Sequence, residues 1–484
     1  MAAPERSPET GPGESEERLK LSVARESSSD RERPKADSGT FLKPKSPARE
    51  VLTLAWPIAA AMLGETAIGL VDTKLVGGLG AAALGGVGLG TTIMFLGYSI
   101  VFGLMRGVKV LTSHAIGEGR ERDGFAYARA GLVLGFALGL VQLAVCRDVS
   151  PLLRMLGADP EIIPYARDFL AAITLGAPAT CALAALIQHR QAIGDSRTPM
   201  IVGIAGNLFN ASFAWALIYG RLGFPALGVK GGGYATAVTE TLELSAMLWM
   251  LLRAERAAAA KPSLTLGGAI REVLGIGGPT GVQFAFEMTA FTMFTVILGS
   301  IGAGEIAAHQ IALATIRVSF LPGVAVSEAA SVLVGQSLGR RDLAGADAVT
   351  KAAIKIAVGF MALCGVFFAL GGGLVAEFFS ADASVGAIAR RLLLVAAVFQ
   401  VLDAVNIVLR GALRGAKDVR LVMLIGVGSV WFCLPTASWF LGRQMGLGAL
   451  GGWLGFVAET TIGAGLFWLR WKHGGWRSRY AAIR

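Results

Sequence analysis

Glu65, Asp72, Glu287 and Asp403 each stand inside a stretch that is otherwise apolar. A carboxylate in such surroundings can hold a proton, or a small cation where further oxygens complete its shell. The spacing supplies those oxygens. Gln400, Asp403 and Asn406 are three residues apart and share one helix face, and Gln283 lies one turn before Glu287. Glu65 and Asp72 are seven apart, two turns on one face. Asn207 and Asn210, in GIAGNLFNASF, are candidates to line the same interior or to bond between helices.

The elements that position these residues must be membrane helices. The chain of 484 residues is 54% hydrophobic and 16% charged, with a mean hydropathy of +0.60. Soluble domains carry about 25% charged residues. Hydropathy, together with glycine, proline and charge breaks, predicts about twelve spans, starting near 51, 82, 124, 164, 199, 231, 270, 306, 350, 388, 420 and 447. In lipid each carboxylate would cost about 2.5–3.5 kcal/mol, so all four should face the bundle interior or a wet cavity.

Residues 1–50 lack apolar periodicity and read as a disordered cytoplasmic tail, with no secretory signal. The tail's ten basic and ten acidic residues cancel, so the net charge of +10 belongs to the membrane part. Basic residues such as Arg120, Arg190, Arg253, Arg340 and Lys417 follow even-numbered spans, which places both termini in the cytoplasm. That basic surplus orients the chain in a lipid bilayer and does not imply a nucleic-acid partner. The four cysteines have no CxxC spacing and the four histidines no HExxH, which excludes a structural metal site.

An internal repeat organises the whole. The stretch LAWPIAAAMLGETAIGLVDTKLVGGLGA from Leu54 lies over GIGGPTGVQFAFEMTAFTMFTVILGSIGA without a gap. Pro57 meets Pro279 and Glu65 meets Glu287, since 279 − 57 and 287 − 65 both give 222. Gly117 meets Gly339 at the same offset, and Asp195 meets Asp418 at 223. The expected domains are a six-helix lobe over 51–252, a cytoplasmic linker over 253–269, a second lobe over 270–470 and a tail over 471–484. An even number of helices per lobe relates the lobes by an axis along the membrane normal, with a cavity between them.

These motifs, followed by AAHQIAL, GQSLG and FQVLDAVNIVLRGALRGAKD in matching order, resemble the multidrug and toxic compound extrusion (MATE) family, with its NorM-type bacterial branch the best fit. The likeness covers about residues 50–470. It implies an all-α, V-shaped bundle of twelve transmembrane helices, a monomer in the bacterial inner (plasma) membrane. It also implies export of bulky, mostly cationic organic compounds in exchange for Na+ or H+, with no cofactor beyond that ion. By resemblance Glu287 and Asp403 are the cation-coupling pair of the C-terminal lobe and could hold a transient Na+. Asp72 and Asn210 fall on N-terminal-lobe positions, and Pro57 on a helix-bending proline that Pro279 matches in the second half. Two positions depart from the family: Ala214 stands where some members have an aspartate, and His114 where glutamine is usual.

An embedded enzyme would need a clustered nucleophile and base or metal ligands, and no such spacing occurs. A lipid-linked oligosaccharide flippase of the same superfamily is the alternative. Its cavity should be cationic, whereas the midspan charges that stand out here are acidic, with Arg106, Lys109, Arg317 and Arg410 expected nearer the helix ends. Phe284, Phe286 and Phe399 are candidates to stack on a cationic substrate.

Overall fold

The computed structural model describes residues 46–155, 157–258, 263–380 and 382–481, and among them there is no strand. Twelve long helices follow one another. In the first half they are α1 (Pro47–Gly77), α2 (Ala81–Gly117), α3 (Glu121–Val145), α4 (Ile163–Ala192), α5 (Arg197–Tyr219) and α6 (Val229–Ala257). In the second half they are α7 (Leu266–Ile301), α8 (Ala303–Gly339), α9 (Leu343–Phe379), α10 (Ala383–Gly415), α11 (Val419–Gln444) and α12 (Gly448–His473).

Eleven of these are apolar and long enough to cross a membrane. The twelfth, α12, carries Glu459, Arg470 and Lys472 along its 26 residues and packs beside α10 and α11. Most of the expected tail lies outside the described residues, but α1 already begins at Pro47, before residue 51. Proline presets φ for a first helical turn, and Glu50 there suits the helix N-terminus. The linker is shorter than expected for a similar reason. α6 runs to Ala257 and α7 starts at Leu266, where the Thr265 hydroxyl accepts from the Gly268 amide at 3.3 Å; residues 259–262 lie outside the described part.

Outside the spans, Asp382 caps α10 by accepting from the Ser384 amide at 2.8 Å. The Ser384 hydroxyl and amide hold its carboxyl below the usual carboxylate range.

Packing reproduces the repeat. In the first half α1 packs on α5, α2 on α3 and α4, α3 on α4, and α6 on both α4 and α5. Each contact recurs six helices later: α7 on α11, α8 on α9 and α10, α9 on α10, and α12 on both α10 and α11. The contacts between halves pair up as well, α2 on α7 with α1 on α8, and α3 on α7 with α1 on α9. Only α2 against α8 is its own counterpart, so the pseudo-twofold axis runs between these two helices.

The halves meet at one end only, the end that carries Pro47 and His473. Among the described residues, every inter-half hydrogen bond, ion pair and close glycine contact on α2 falls between Ile100 and Gly117. Two backbone approaches set the seam. A Cβ on Gly107 would lie 2.8 Å from the Val273 carbonyl oxygen, and one on Gly339 would lie 2.5 Å from that of His114. Val51, Leu54 and Ala55 of α1 complete the closure against Val326 and Ala330 of α8. The result is a V.

Candidate functional site

Buried polar groups in the second half converge on Arg410. Its guanidinium reaches Glu287 Oε1 at 2.9 Å and Glu459 Oε1 at 3.4 Å. Gln283 donates to the same Glu287 oxygen at 2.9 Å, and the Ser429 hydroxyl donates to Glu459 at 3.3 Å. Asp403 lies next to this group. The Asn406 amide donates to Asp403 Oδ1 at 3.5 Å and also faces Glu459, while its own Oδ1 has no partner among the described residues. Glu287, Asp403 and Glu459 are all nine-tenths buried or more. Three carboxylates thus share one arginine.

Arg410 and Arg414 occupy the last two turns of α10, yet they sit inside the protein. The reason is a stagger: the end of α10 is level with the middle of α7, where Arg414 Nη2 donates to Gln283 Oε1 at 3.3 Å. Of Arg106, Lys109, Arg317 and Arg410, expected nearer the helix ends, Arg410 does lie near one, but that end is inside the protein, whereas Arg317 lies well inside α8 and alone of the set is exposed.

The first half has its own acidic group. Glu240 and Glu243 of α6 lie near Glu65 of α1, close enough for their charges to interact. The Thr180 hydroxyl donates to Glu240 and receives the Tyr98 hydroxyl at 3.3 Å. No salt bridge to Glu65, Asp72, Glu240 or Glu243 occurs among the described residues. Glu65 is exposed, and Asp72 is half-buried farther toward the open end.

Each predicted residue can now be placed. Gln283, Glu287, Asp403 and Asn406 come together as one cluster. Gln400, fully buried, accepts instead from the Ser319 hydroxyl at 2.7 Å and ties α10 to α8. Asn210 donates to the Thr236 hydroxyl at 3.3 Å, and the Asn207 amide packs at Gly64, so both join helices. Pro57 and Pro279 lie inside α1 and α7, where each leaves the carbonyl four residues back without its helical donor. The guanidinium groups of Arg106 and Arg414 lie 4.4 and 5.7 Å from the ring centroid of Phe284. Phe399 stacks in the core on Phe456, and Phe286 is exposed.

Glu459, Glu240, Glu243, Arg410 and Arg414 were missing from the predicted set. The three-residue spacing of Glu240 and Glu243 within VTETLEL was the signal available for two of them.

At the closed end, residues related by the repeat bond to each other's half. Arg106 and Glu328 are equivalents, 328 − 106 = 222, and pair directly with Nη2 to Oε1 at 2.6 Å. Lys109 reaches the other Glu328 oxygen at 2.6 Å. His114 and Gln336 are likewise 222 apart. His114 Nε2 bonds the Gly415 carbonyl at 2.8 Å, and Gln336 donates to that of Ala192 at 2.9 Å, so each half's second helix grips the other half's fourth.

Two repeated six-helix lobes with buried charges in each, closed at one end and parted at the other, are the architecture of a membrane transporter. The MatE family model matches residues 57–216 and 279–439, two copies whose starts are again 279 − 57 = 222 apart. A probable multidrug resistance protein NorM of Xanthomonas campestris is 33% identical over 432 residues, 88% of this chain and 94% of that protein. MdtK of Yersinia enterocolitica is 30% identical, over 87% of this chain and 94% of its own. VcmN of Vibrio cholerae in its bent form shares the fold with a TM-score of 0.81 at 18% identity, covering 91% of this chain and 99% of that one. A Pyrococcus furiosus MOP superfamily transporter, described by the reverse polarity of its binding pocket, gives 0.80 at 20%, over 90% and 96%. The chain belongs to the MatE family, the multidrug and toxic compound extrusion transporters. It is therefore a multi-pass membrane transporter of small molecules and not an enzyme.

Proposed function

We propose that the chain is a secondary antiporter of the bacterial inner membrane that exports bulky, mostly cationic organic compounds in exchange for Na+ or H+. The observation that carries this reading is the surplus of buried carboxylate over arginine in the Arg410 cluster. Glu287, Asp403 and Glu459 face one guanidinium, so the cluster can take up further positive charge. The unpartnered Asn406 oxygen beside Asp403 adds a neutral ligand suited to Na+.

The basic loops after even-numbered helices put both termini in the cytoplasm, so the V opens outward. A coupling ion entering from outside would meet Glu287, Asp403 and Glu459. Its binding favours one conformation and an organic cation favours the other, which produces exchange. The relatives named multidrug resistance proteins support the substrate class. The chain acts as a monomer and needs no cofactor beyond the coupling ion.

The flippase reading draws on the buried Arg106, Lys109, Arg410 and Arg414. It is the weaker one, because Glu328 and the Arg410 carboxylates match most of that charge. Ethidium efflux from proteoliposomes under an imposed Na+ gradient, and separately a pH gradient, tests the proposal. One gradient should drive efflux, and Asp403→Asn should abolish it. Efflux insensitive to both gradients, or unchanged in Asp403→Asn, would overturn the coupling role.

A further inference from the structure

At the closed end, a narrow cavity between the halves is lined by Arg106, Lys109, Thr280, Glu328, Ser331 and Arg414, and it has room for one body of about a water's size. Its charges do not balance. Within the lining, three cations face one carboxylate, 3 − 1 = 2 more positive than negative charges, and Glu287 of the neighbouring cluster is a further carboxylate near Arg414. Glu328 already pairs with two of these cations, one oxygen on Arg106 and the other on Lys109. Arg414, 7% exposed, makes no direct ion pair among the described residues, with Glu328 and Glu287 acting on it from farther off; one nitrogen donates to the neutral Gln283 amide and its Nε donates to nothing among the described residues. Arg106 Nη1 is likewise buried and unpartnered.

We infer that this cavity binds a small monoatomic anion, chloride in ordinary solution, between Arg106 and Arg414. Buried charge without a counter-charge is strongly disfavoured, and a buried donor without an acceptor adds to the cost. A water could accept from the two free N–H groups but would supply no counter-charge to the excess of cations in the lining. A halide does both, and it fits where a phosphate or a sulfate does not. Bridging cations contributed by α2 and α10, the ion would tie the two halves together and stabilise the closed end.

The test is thermal unfolding of the purified full-length protein in sodium chloride, bromide, gluconate and sulfate at equal ionic strength. Chloride and bromide should raise the midpoint saturably over gluconate, by about 1–3 °C at ten times half-saturation, and sulfate should not. Arg414→Gln should remove that difference while still unfolding cooperatively. Bromide soaked into crystals of the wild type should give an anomalous peak between Arg106 and Arg414, an arm that stands even where the variant fails to fold. Equal midpoints in all four salts, a sulfate effect as large as chloride's, a halide effect that survives Arg414→Gln, or a bromide-soaked crystal without the peak would each overturn the site. No transport enters these measurements, so their failure would leave the export reading untouched.

Discussion

Single charges at two places decide most of what this molecule can do. Arg410 holds Glu287 and Glu459 together in the buried part of the second half. Removing one partner of a buried ion pair leaves the other uncompensated, at about 3–5 kcal/mol. Arg410→Met should therefore lower the unfolding midpoint sharply. Adding Glu287→Gln and Glu459→Gln to it should recover much of the loss, read by thermal unfolding in detergent; a triple variant no better than the single would contradict the shared-cluster geometry. At the closed end, Arg106→Glu should destabilise the closed state by setting two carboxylates together, and Arg106→Glu with Glu328→Arg should restore part of the stability and of the efflux, though not all, because Lys109 then faces an arginine. Sequence spacing found Gln283, Glu287, Asp403 and Asn406 because all four sit at helical intervals near midspan. It could not find the arginine that joins them, because the depth of Arg410 is set by how far α7 projects past the end of α10, a tertiary offset that no local pattern encodes.

Helices and their seams were far more legible than the site. The starts expected near 82, 199, 231 and 420 fall within two residues of Ala81, Arg197, Val229 and Val419, since apolar length and glycine breaks dictate a span directly. The less predictable boundaries were those set by caps: α9 begins at Leu343 behind Asp342 where 350 was expected, α10 at Ala383 behind Asp382 where 388 was expected, and the starts at Pro47 and at Leu266 behind Thr265 came early as well. The α2–α7 seam depends on the absence of side chains at Gly107 and Gly277. Gly277→Val would drive a side chain into the Leu104 backbone, and it should cost at least as much as a typical overpacking change, about 1–3 kcal/mol. The same substitution at Gly275, where a Cβ meets nothing, should be nearly silent. Comparing the two midpoints checks the seam.

As a whole, the molecule is joined only where its two halves touch, so a covalent link there should arrest it. Arg106→Cys with Glu328→Cys places one thiol on α2 and one on α8 where a salt bridge now spans them, in a background with Cys146, Cys181, Cys364 and Cys433 replaced. Joining them with a short reducible bifunctional thiol reagent should stop efflux and reductant should restore it; transport through the cross-linked protein would mean that this end never opens. The repeat also carries a history. In a true symmetric dimer a residue on the axis faces its own copy, so an arginine at this place would meet an arginine. Arg106 meets Glu328 across the pseudo-axis because the two copies lie on one chain and could diverge in sign. Two diverged copies on one chain thus allow an attraction that two identical subunits could not make between equivalent positions, and the chain itself holds each first half to one second half.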